Sequence, residues 1–534
     1  MRGIAAFSQG QLFLLLLVAH HAPAPPTMEL VDKDLFHPTD FQRTARSSRY
    51  TTDEEGSGYW IDGAQKILIN HLKEVHNTNR ARNVIMFLGD GMSVPTLAAA
   101  RVYQGQLMGE TGEESHLFFE DFPYTGFSKT YCVDSQVADS ACTATAYLCG
   151  VKGNKGTIGV TASVDRGSCE GMRNQSNQVS SLLKWAQDSS KSTGIITTAR
   201  VTHASPAGAY ASVAERNWES DADVASSGQD TSKCDDIAEQ LVFGSTGKNF
   251  QVILGGGREG FIPADKVDEE GEQGKRLDGR DLVQEWQKQK ESSGFRGQYI
   301  WNRKQLLSLN YTNVDYLLGL FEGSHMKYHL EADEENEPTL AEMTEAAIKL
   351  LSKEKNGFAL FVEGGRIDHA HHSTTAKRAL DETVEMAKAV KKAMELTSNE
   401  DTLIVVTADH AHTMSYSGYP TRGNDILGLA GLSDVDKLPY STLSYANGPG
   451  FQPPERSCNR HDLTEDNMKT DTYEYPALVP LTSETHGGDD VAVFATGPWA
   501  HLLTGMYEQN YIPHVMAYAS CIGSGLTACS NDKR

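Results

Sequence analysis

Short unbroken runs of β-branched and aromatic residues recur along the chain, and each meets a carboxylate or a histidine at one end. Val84-Ile85-Met86-Phe87-Leu88 runs into Gly89-Asp90-Gly91, and Gly194-Ile195-Ile196-Thr197 leads through Arg200 to His203-Ala204-Ser205-Pro206. Phe358-Ala359-Leu360-Phe361-Val362 leads into Glu363-Gly364-Gly365-Arg366-Ile367-Asp368, followed by His369, His371 and His372. Leu403-Ile404-Val405-Val406-Thr407 ends in Asp409-His410-Ala411-His412. In the last case Glu484-Thr485-His486-Gly487-Gly488 precedes Val491-Ala492-Val493-Phe494, so the histidine enters from the loop before a strand. Continuous apolar runs of this length predict strands buried on both faces. Between them the pattern turns helical, most clearly from Thr374 to Leu396, where Leu380, Val384, Ala387, Val390 and Met394 share one face. Strands alternating with helices predict an α/β fold around a mostly parallel sheet, whose carboxyl edge gathers the ends of the runs. Asp368 and His372, four apart at the start of that helix, fall on one face. The glycines beside Asp90 predict a tight turn that leaves its side chain exposed.

One aspartate at a strand end is ordinarily a cap, and one histidine is ordinarily solvated. Independent caps do not explain five strand ends carrying Asp, Glu and His together, and the pattern points to a polynuclear metal site. A nucleophile stands in Val137-Ala138-Asp139-Ser140-Ala141-Cys142-Thr143-Ala144-Thr145, where small residues around Ser140 let a bulky anion approach the backbone. A serine hydroxyl needs a base, a lowered pKa or a metal to attack. The chain offers metal ligands in quantity and no obvious base.

In order and approximate spacing, these motifs resemble those of the alkaline phosphatase family, of the animal and insect-like type, over roughly residues 50 to 530. The resemblance implies a three-layer α/β sandwich around a large mostly parallel sheet, with a crown-like insertion over about 419–483. It implies two zinc ions, one held by Asp368, His372 and His486 and the other by Asp90, Ser140, Asp409 and His410. Asp90 then bridges to a magnesium ion held with Ser205 and Glu363, since harder oxygen ligands suit magnesium and imidazoles suit zinc. His203 and His412 stand behind these ligands, and Arg216 matches the arginine that clamps the substrate phosphate with two parallel hydrogen bonds. The reaction implied is hydrolysis of phosphate monoesters through a phosphoserine on Ser140, open to many leaving groups. Phe321, Glu322, Glu337 and Glu270 resemble a calcium site. Glu337 departs from the usual Asp there and the segment near Glu270 is shorter, so a solvated acidic surface is the other reading.

The resemblance also implies disulfides Cys169–Cys234 and Cys521–Cys529, leaving Cys132, Cys142, Cys149 and Cys458 unassigned. It implies a homodimer embraced by an amino-terminal helix from Tyr59-Trp60-Ile61 through Leu72, with Tyr419 reaching into the neighbouring site. Length alone would allow several domains in 534 residues, but ligands spread from Asp90 to His486 must converge in one. A formal charge of −23 argues against binding a nucleic-acid backbone, although free nucleotides remain candidate substrates. The apolar run Leu12 to Ala19 reads as a signal peptide ending near residue 24, with no transmembrane span. Eight cysteines agree with an oxidising compartment. Asn174 and Asn310 head glycosylation sequons. The polar end Cys529-Ser530-Asn531-Asp532-Lys533-Arg534 lacks the apolar tail that precedes a lipid anchor, so a secreted protein is expected, with an anchored form as the alternative. Two rivals remain. Phosphodiesterases and sulfatases share the two-metal frame but usually place Thr or a modified Cys where Ser140 stands. A silent surface protein would show a broken site, and no expected ligand is missing.

Overall fold

The computed structural model describes residues 56–453 and 460–529. The expected signal peptide, Cys458 and residues 530–534 lie outside these. Ten strands form one sheet: β1 (Asn83–Gly89), β2 (Tyr124–Lys129), β3 (Ser192–Arg200), β4 (Val252–Gly256), β5 (Gly297–Ile300), β6 (Tyr316–Leu320), β7 (Phe358–Gly364), β8 (Thr402–Ala408), β9 (Val491–Thr496) and β10 (Gly505–Glu508). Their order across the sheet is β10-β2-β9-β8-β1-β7-β3-β4-β6-β5. Only β9 runs against its neighbours, pairing antiparallel with both β8 and β2. β1 lies at the centre, parallel to β7 on one side and β8 on the other.

Because side chains alternate across a strand, the uninterrupted apolar runs fill two cores at once. Ile85, Phe87, Val362 and Val406 face one core, beneath helices Val94–Leu107, Leu340–Leu351 and Ala376–Leu396. Met86, Leu88, Phe361 and Val405 face the other, beneath helices Ser140–Cys149, Leu182–Asp188, Ile237–Phe243, Leu282–Ser292 and Ile512–Ser520. The result is the expected three-layer α/β sandwich.

The helix expected from Thr374 is two. Asp368 and His372 sit on a helix of their own, Arg366–His372, and the long helix begins at Ala376. Thr374 breaks the path with a left-handed φ of 53°, while Thr374 N–H and Thr375 N–H donate to the carbonyls of His371 and Ala370. The four-residue spacing still puts both side chains on one face, and Leu380, Val384, Ala387 and Val390 are buried as the pattern requires.

Between β8 and β9 the chain builds small sheets outside the main one. Met414–Tyr416, Leu443–Gly448 and Ala477–Pro480 form one, and Leu429–Leu432 pairs with Pro439–Ser441 in another. The helix Ser57–Lys73 buries none of its residues. Three disulfides are present among the described residues. Cys169–Cys234 and Cys521–Cys529 are those the resemblance implied, and Cys132–Cys142 ties the first turn of the Ser140 helix to the preceding loop. Cys149 is buried and free.

Phe361, fully buried on β7, stacks on Tyr147 of the Ser140 helix with ring centroids 6.2 Å apart. Phe361→Ala is expected to cost about 3 to 5 kcal/mol, from lost burial plus the cavity left behind. Denaturant titration checks this, and an unchanged midpoint would mean that the sheet and this helix are not packed as described.

Candidate active site

The parallel strands β1, β3, β7 and β8 deliver polar residues at the same edge. β1 ends at Asp90, β7 carries Glu363 in register with Leu88 of β1 and Thr197 of β3, and β8 is followed by Asp409 and His410. β3 leads to His203 and to Ser205 on the one-turn helix Ala204–Ala207. The antiparallel direction of β9 explains why His486 precedes its strand: the amino end of β9 lies where the others have their carboxyl ends. Asp90 is fully buried, not exposed as its turn suggested. Gly91 follows it with a φ of +67°, and a Cβ there would lie 2.3 Å from the His412 ring, so the turn folds inward over the site. Gly91 N–H and His410 N–H each donate to Asp409 Oδ1 at 2.9 Å.

Three donor groups meet at Asp368. Its carboxylate lies 3.4 Å from His372 Nε2 and 3.3 Å from His486 Nε2, and the two imidazole nitrogens are 3.1 Å apart. The protons of these imidazoles can be placed. His372 Nδ1 is 2.6 Å from the Glu484 carbonyl and His486 Nδ1 is 2.7 Å from the Ala138 carbonyl; carbonyls only accept, so both Nδ1 atoms donate. In neutral rings both Nε2 atoms then present lone pairs to each other and to a carboxylate, an arrangement that a cation satisfies and a hydrogen bond cannot.

A second group surrounds Ser140. Its Oγ lies 3.2 Å from His410 Nε2 and 3.5 Å from Asp90 Oδ1, and His410 Nε2 is 3.1 Å from Asp409 Oδ2. Asp90 also belongs to a third group with Glu363 and His203. Asp90 Oδ2, Glu363 Oε1, Ser205 Oγ and His203 Nδ1 are buried without a hydrogen-bond partner. Buried oxygens of this kind are costly unless they bind a cation, so this donor set fits the hard metal ion that the sequence suggests.

The electrostatics agree. Burial, then Asp409, Asp368 and Glu363, push the Asp90 carboxyl well above its ordinary range. Burial raises Glu363 to about 7 although Thr197 donates to it. Asp368 goes the other way: burial would raise it, but the surrounding imidazoles, His372 first and then His412 and His486, hold it well below the usual range.

Ser140 opens its helix, and Asp139 caps it by accepting from Cys142 N–H at 3.2 Å. Asp139 also accepts from Arg216 Nη1 at 3.2 Å and from Gly156 N–H at 3.1 Å. These contacts outweigh burial and keep its carboxyl low. Arg216 is thereby aimed beside Ser140, at the positive end of a helix, where an anion is favoured.

His412 sits between two carboxylates, 2.8 Å from Asp368 Oδ1 and 2.5 Å from Glu484 Oε2. Burial would lower it, but Glu484 and Asp368 raise it to about 10, so both of its nitrogens carry protons and it orients Asp368 from behind. Glu484 was not among the residues the sequence marks as functional. Its other oxygen accepts from Thr413 N–H at 2.7 Å, its carbonyl fixes His372, and nothing in a polar loop marks it as buried. Also unforeseen is the group of His203, His325 and His369, with the latter two rings 4.2 Å apart. At the suggested calcium residues, Glu270 is paired with the buried Arg258. Lys327 Nζ lies 3.1 Å from Glu322 and 3.5 Å from Glu337.

Comparison with known proteins decides the family. A family model described as alkaline phosphatase matches residues 81–522. The chain belongs to the alkaline phosphatase family. It is 50% identical over 503 residues to the membrane-bound alkaline phosphatase of Bombyx mori, covering 93% of this chain and 91% of that protein. It is also 50% identical over 484 residues to the human tissue-nonspecific alkaline phosphatase, covering 89% and 91%. Among solved structures, the Thermus thermophilus alkaline phosphatase superposes with a TM-score of 0.60 at 21% identity, over 85% of this chain and 94% of that one. The alkaline phosphatase of a psychrophilic Shewanella species gives 0.56 at 25%, over 83% and 100%. The chain is thus an alkaline phosphatase family enzyme, and the buried donor groups at its sheet edge are candidate metal sites of a metal-dependent family.

Glu484→Gln keeps the size of the side chain and removes the charge that holds His412. Such outer partners are worth about tenfold to a hundredfold in metal affinity. Faster loss of bound metal on dialysis against a chelator is expected, read by elemental analysis. Metal retention equal to the parent would show that Glu484 does not support Asp368.

Proposed function

We propose that this phosphatase hydrolyses phosphate monoesters to an alcohol and inorganic phosphate through a phosphoserine at Ser140. Asp368, His372 and His486 would hold one zinc ion, Asp90, Ser140, Asp409 and His410 a second, and Asp90, Ser205 and Glu363 a magnesium ion. When bound, the zinc ions lower the pKa of the serine hydroxyl and of a water and offset charge on the leaving oxygen. The observation that carries this reading is Ser140 Oγ, at the start of a helix, within 3.5 Å of both Asp90 and His410 and flanked by the tethered Arg216.

In the first step Ser140 Oγ gives its proton to solvent and bonds to phosphorus as the ester oxygen departs and takes up a proton from solvent. In the second, a water oxygen attacks the phosphoserine from the opposite side and returns the hydroxyl to Ser140. Two inversions leave the configuration at phosphorus unchanged. Arg216 holds two phosphoryl oxygens throughout, and Asp139 keeps its guanidinium in place. His412 and Glu484 fix the ligand geometry and touch no reacting atom. Phe321, Glu322 and Glu337 are a candidate calcium site, in which a cation would take the place of the Lys327 ammonium between Glu322 Oε1 and Glu337 Oε1; Glu270 contributes to it only by leaving Arg258.

The working form is a homodimer. The helix Ser57–Lys73 leaves Trp60, Ile61, Ile67, Leu68 and Leu72 at least half exposed, an apolar surface that a second copy would cover together with the crown-like insertion and Tyr419. Secretion agrees with three disulfides, and no helix among the described residues is long and apolar enough to cross a membrane. The membrane-bound name of the Bombyx mori relative favours a lipid-anchored form as the second reading. Asn174 and Asn310 are exposed, as glycan acceptors must be.

Ser140→Ala is expected to abolish the phosphoenzyme trapped with labelled phosphate at low pH. A labelled Ser140→Ala protein would move the nucleophile elsewhere. Arg216→Ala is expected to weaken inorganic phosphate as an inhibitor by about 1.5 to 3 kcal/mol at equal zinc content, and Arg216→Lys to recover only part, since it restores charge without the planar fork. Phosphate inhibition and metal content measured on all three proteins check this; undiminished inhibition in the alanine variant would remove Arg216 from the clamp.

A further inference from the structure

A cavity of about 490 Å³ opens beside the helix Ile512–Ser520, walled by Trp185, Trp499, Tyr511, His514, Tyr518 and Ile522. It shares no residue with the candidate active site. Its size falls within the roughly 300 to 1,000 Å³ typical of small-molecule sites. The wall is built from rings already packed on one another. Trp185 stacks on His514 with centroids 5.9 Å apart, and Trp499 meets Tyr518 edge-on at 5.1 Å. The remaining side belongs to the short loop that the Cys521–Cys529 disulfide closes, where Gly523 approaches Trp185. No Lys, Arg, Asp or Glu lines the cavity, so a charged guest would be desolvated without compensation.

One polar group in the wall has a defined role. His514 Nε2 lies 3.2 Å from the Gly150 carbonyl, which can only accept, so Nε2 donates and Nδ1 is left as an acceptor. Gly150 is the left-handed residue that ends the Ser140 helix, and Asn510 donates to the same carbonyl at 3.1 Å. One residue earlier, Gln509 donates to the backbone carbonyl of Asp409 at 2.8 Å. The segment that walls the cavity therefore also holds the far end of the nucleophile's helix and the backbone of a candidate metal ligand.

We propose that this cavity binds a small, uncharged, aromatic molecule with one hydrogen-bond donor, which lies among the rings and donates to His514 Nδ1, and that its occupancy reaches Ser140 through the contact between His514 and Gly150.

N-phenyl-1-naphthylamine is a suitable probe: uncharged, aromatic, with one N–H, and brighter when removed from water. Titrated into the full-length enzyme, it is expected to bind saturably at one site per chain and to stay bound at saturating inorganic phosphate. Gly525→Trp tests the location, because Gly525 has no left-handed φ and open space where a Cβ would stand, so an indole can enter the cavity without strain. That variant is expected to keep basal turnover, which verifies folding, and to bind the probe at least about tenfold more weakly. His514→Phe keeps the ring, removes the acceptor and should weaken the probe about threefold to tenfold. At saturating probe, kcat on a chromogenic phosphate monoester should change in the parent and not in Gly525→Trp. Absence of saturable binding, displacement by phosphate, or equal affinity in the parent and both variants would overturn the site. An unmoved kcat at saturation would overturn its link to Ser140. Fluorescence reads the site whether or not the phosphoserine reading holds.

Discussion

Four carboxylates, Asp90, Glu363, Asp368 and Asp409, are buried side by side at one edge of the sheet, and most of the surrounding structure compensates for that. Each alone would lose several kcal/mol by leaving water unpaired, and together they repel one another. The protein's own response is partial. It supplies His412 as a doubly protonated partner to Asp368 and donates backbone N–H groups to Asp409, but leaves oxygens of Asp90 and Glu363 unsatisfied. A sheet with apolar layers on both faces is what keeps such a cluster from relaxing apart. Rigid strands in fixed register set the spacing of the oxygens, and that spacing makes the edge a candidate cation site.

Asp139 shows how few groups are needed to join separate tasks. The same carboxylate caps the Ser140 helix, anchors the loop at Gly156 and pins Arg216. The proposed nucleophile, the helix end that favours an anion and the proposed phosphate clamp therefore share one origin. In a protein of net charge −23, a positive group held this firmly acts locally, where a free one would be screened or drawn to neighbouring acids.

Much of this was legible in the sequence because the strands are buried on both faces. Apolar runs such as Val84–Leu88 and Leu403–Thr407 leave little ambiguity, and their polar ends mark the sheet edge. Less legible were features set by packing at a distance. Asp90 looked exposed because a glycine-flanked turn carries no sign of what folds over it, yet His412 closes against Gly91. The break at Thr374 arises from a single left-handed residue within an otherwise helical pattern. Glu484 is polar, in a loop, and buried only because two distant histidines meet there. Pairing of Cys132 with Cys142 was open for the same reason: the sequence gives separation and not geometry.

The reversed direction of β9 has a consequence for how the protein comes into being. Its histidine belongs to the last main-sheet strand but one, so during synthesis Asp90, Glu363, Asp368 and Asp409 all emerge before His486 can join them. Chains fold as they leave the ribosome, amino-terminal portions first. The nascent sheet edge must therefore wait, with its acidic residues hydrated, until almost the whole polypeptide is available. Closure of the group around Asp368 is a late act of maturation, and a chain cut short before His486 would lack one of its imidazoles.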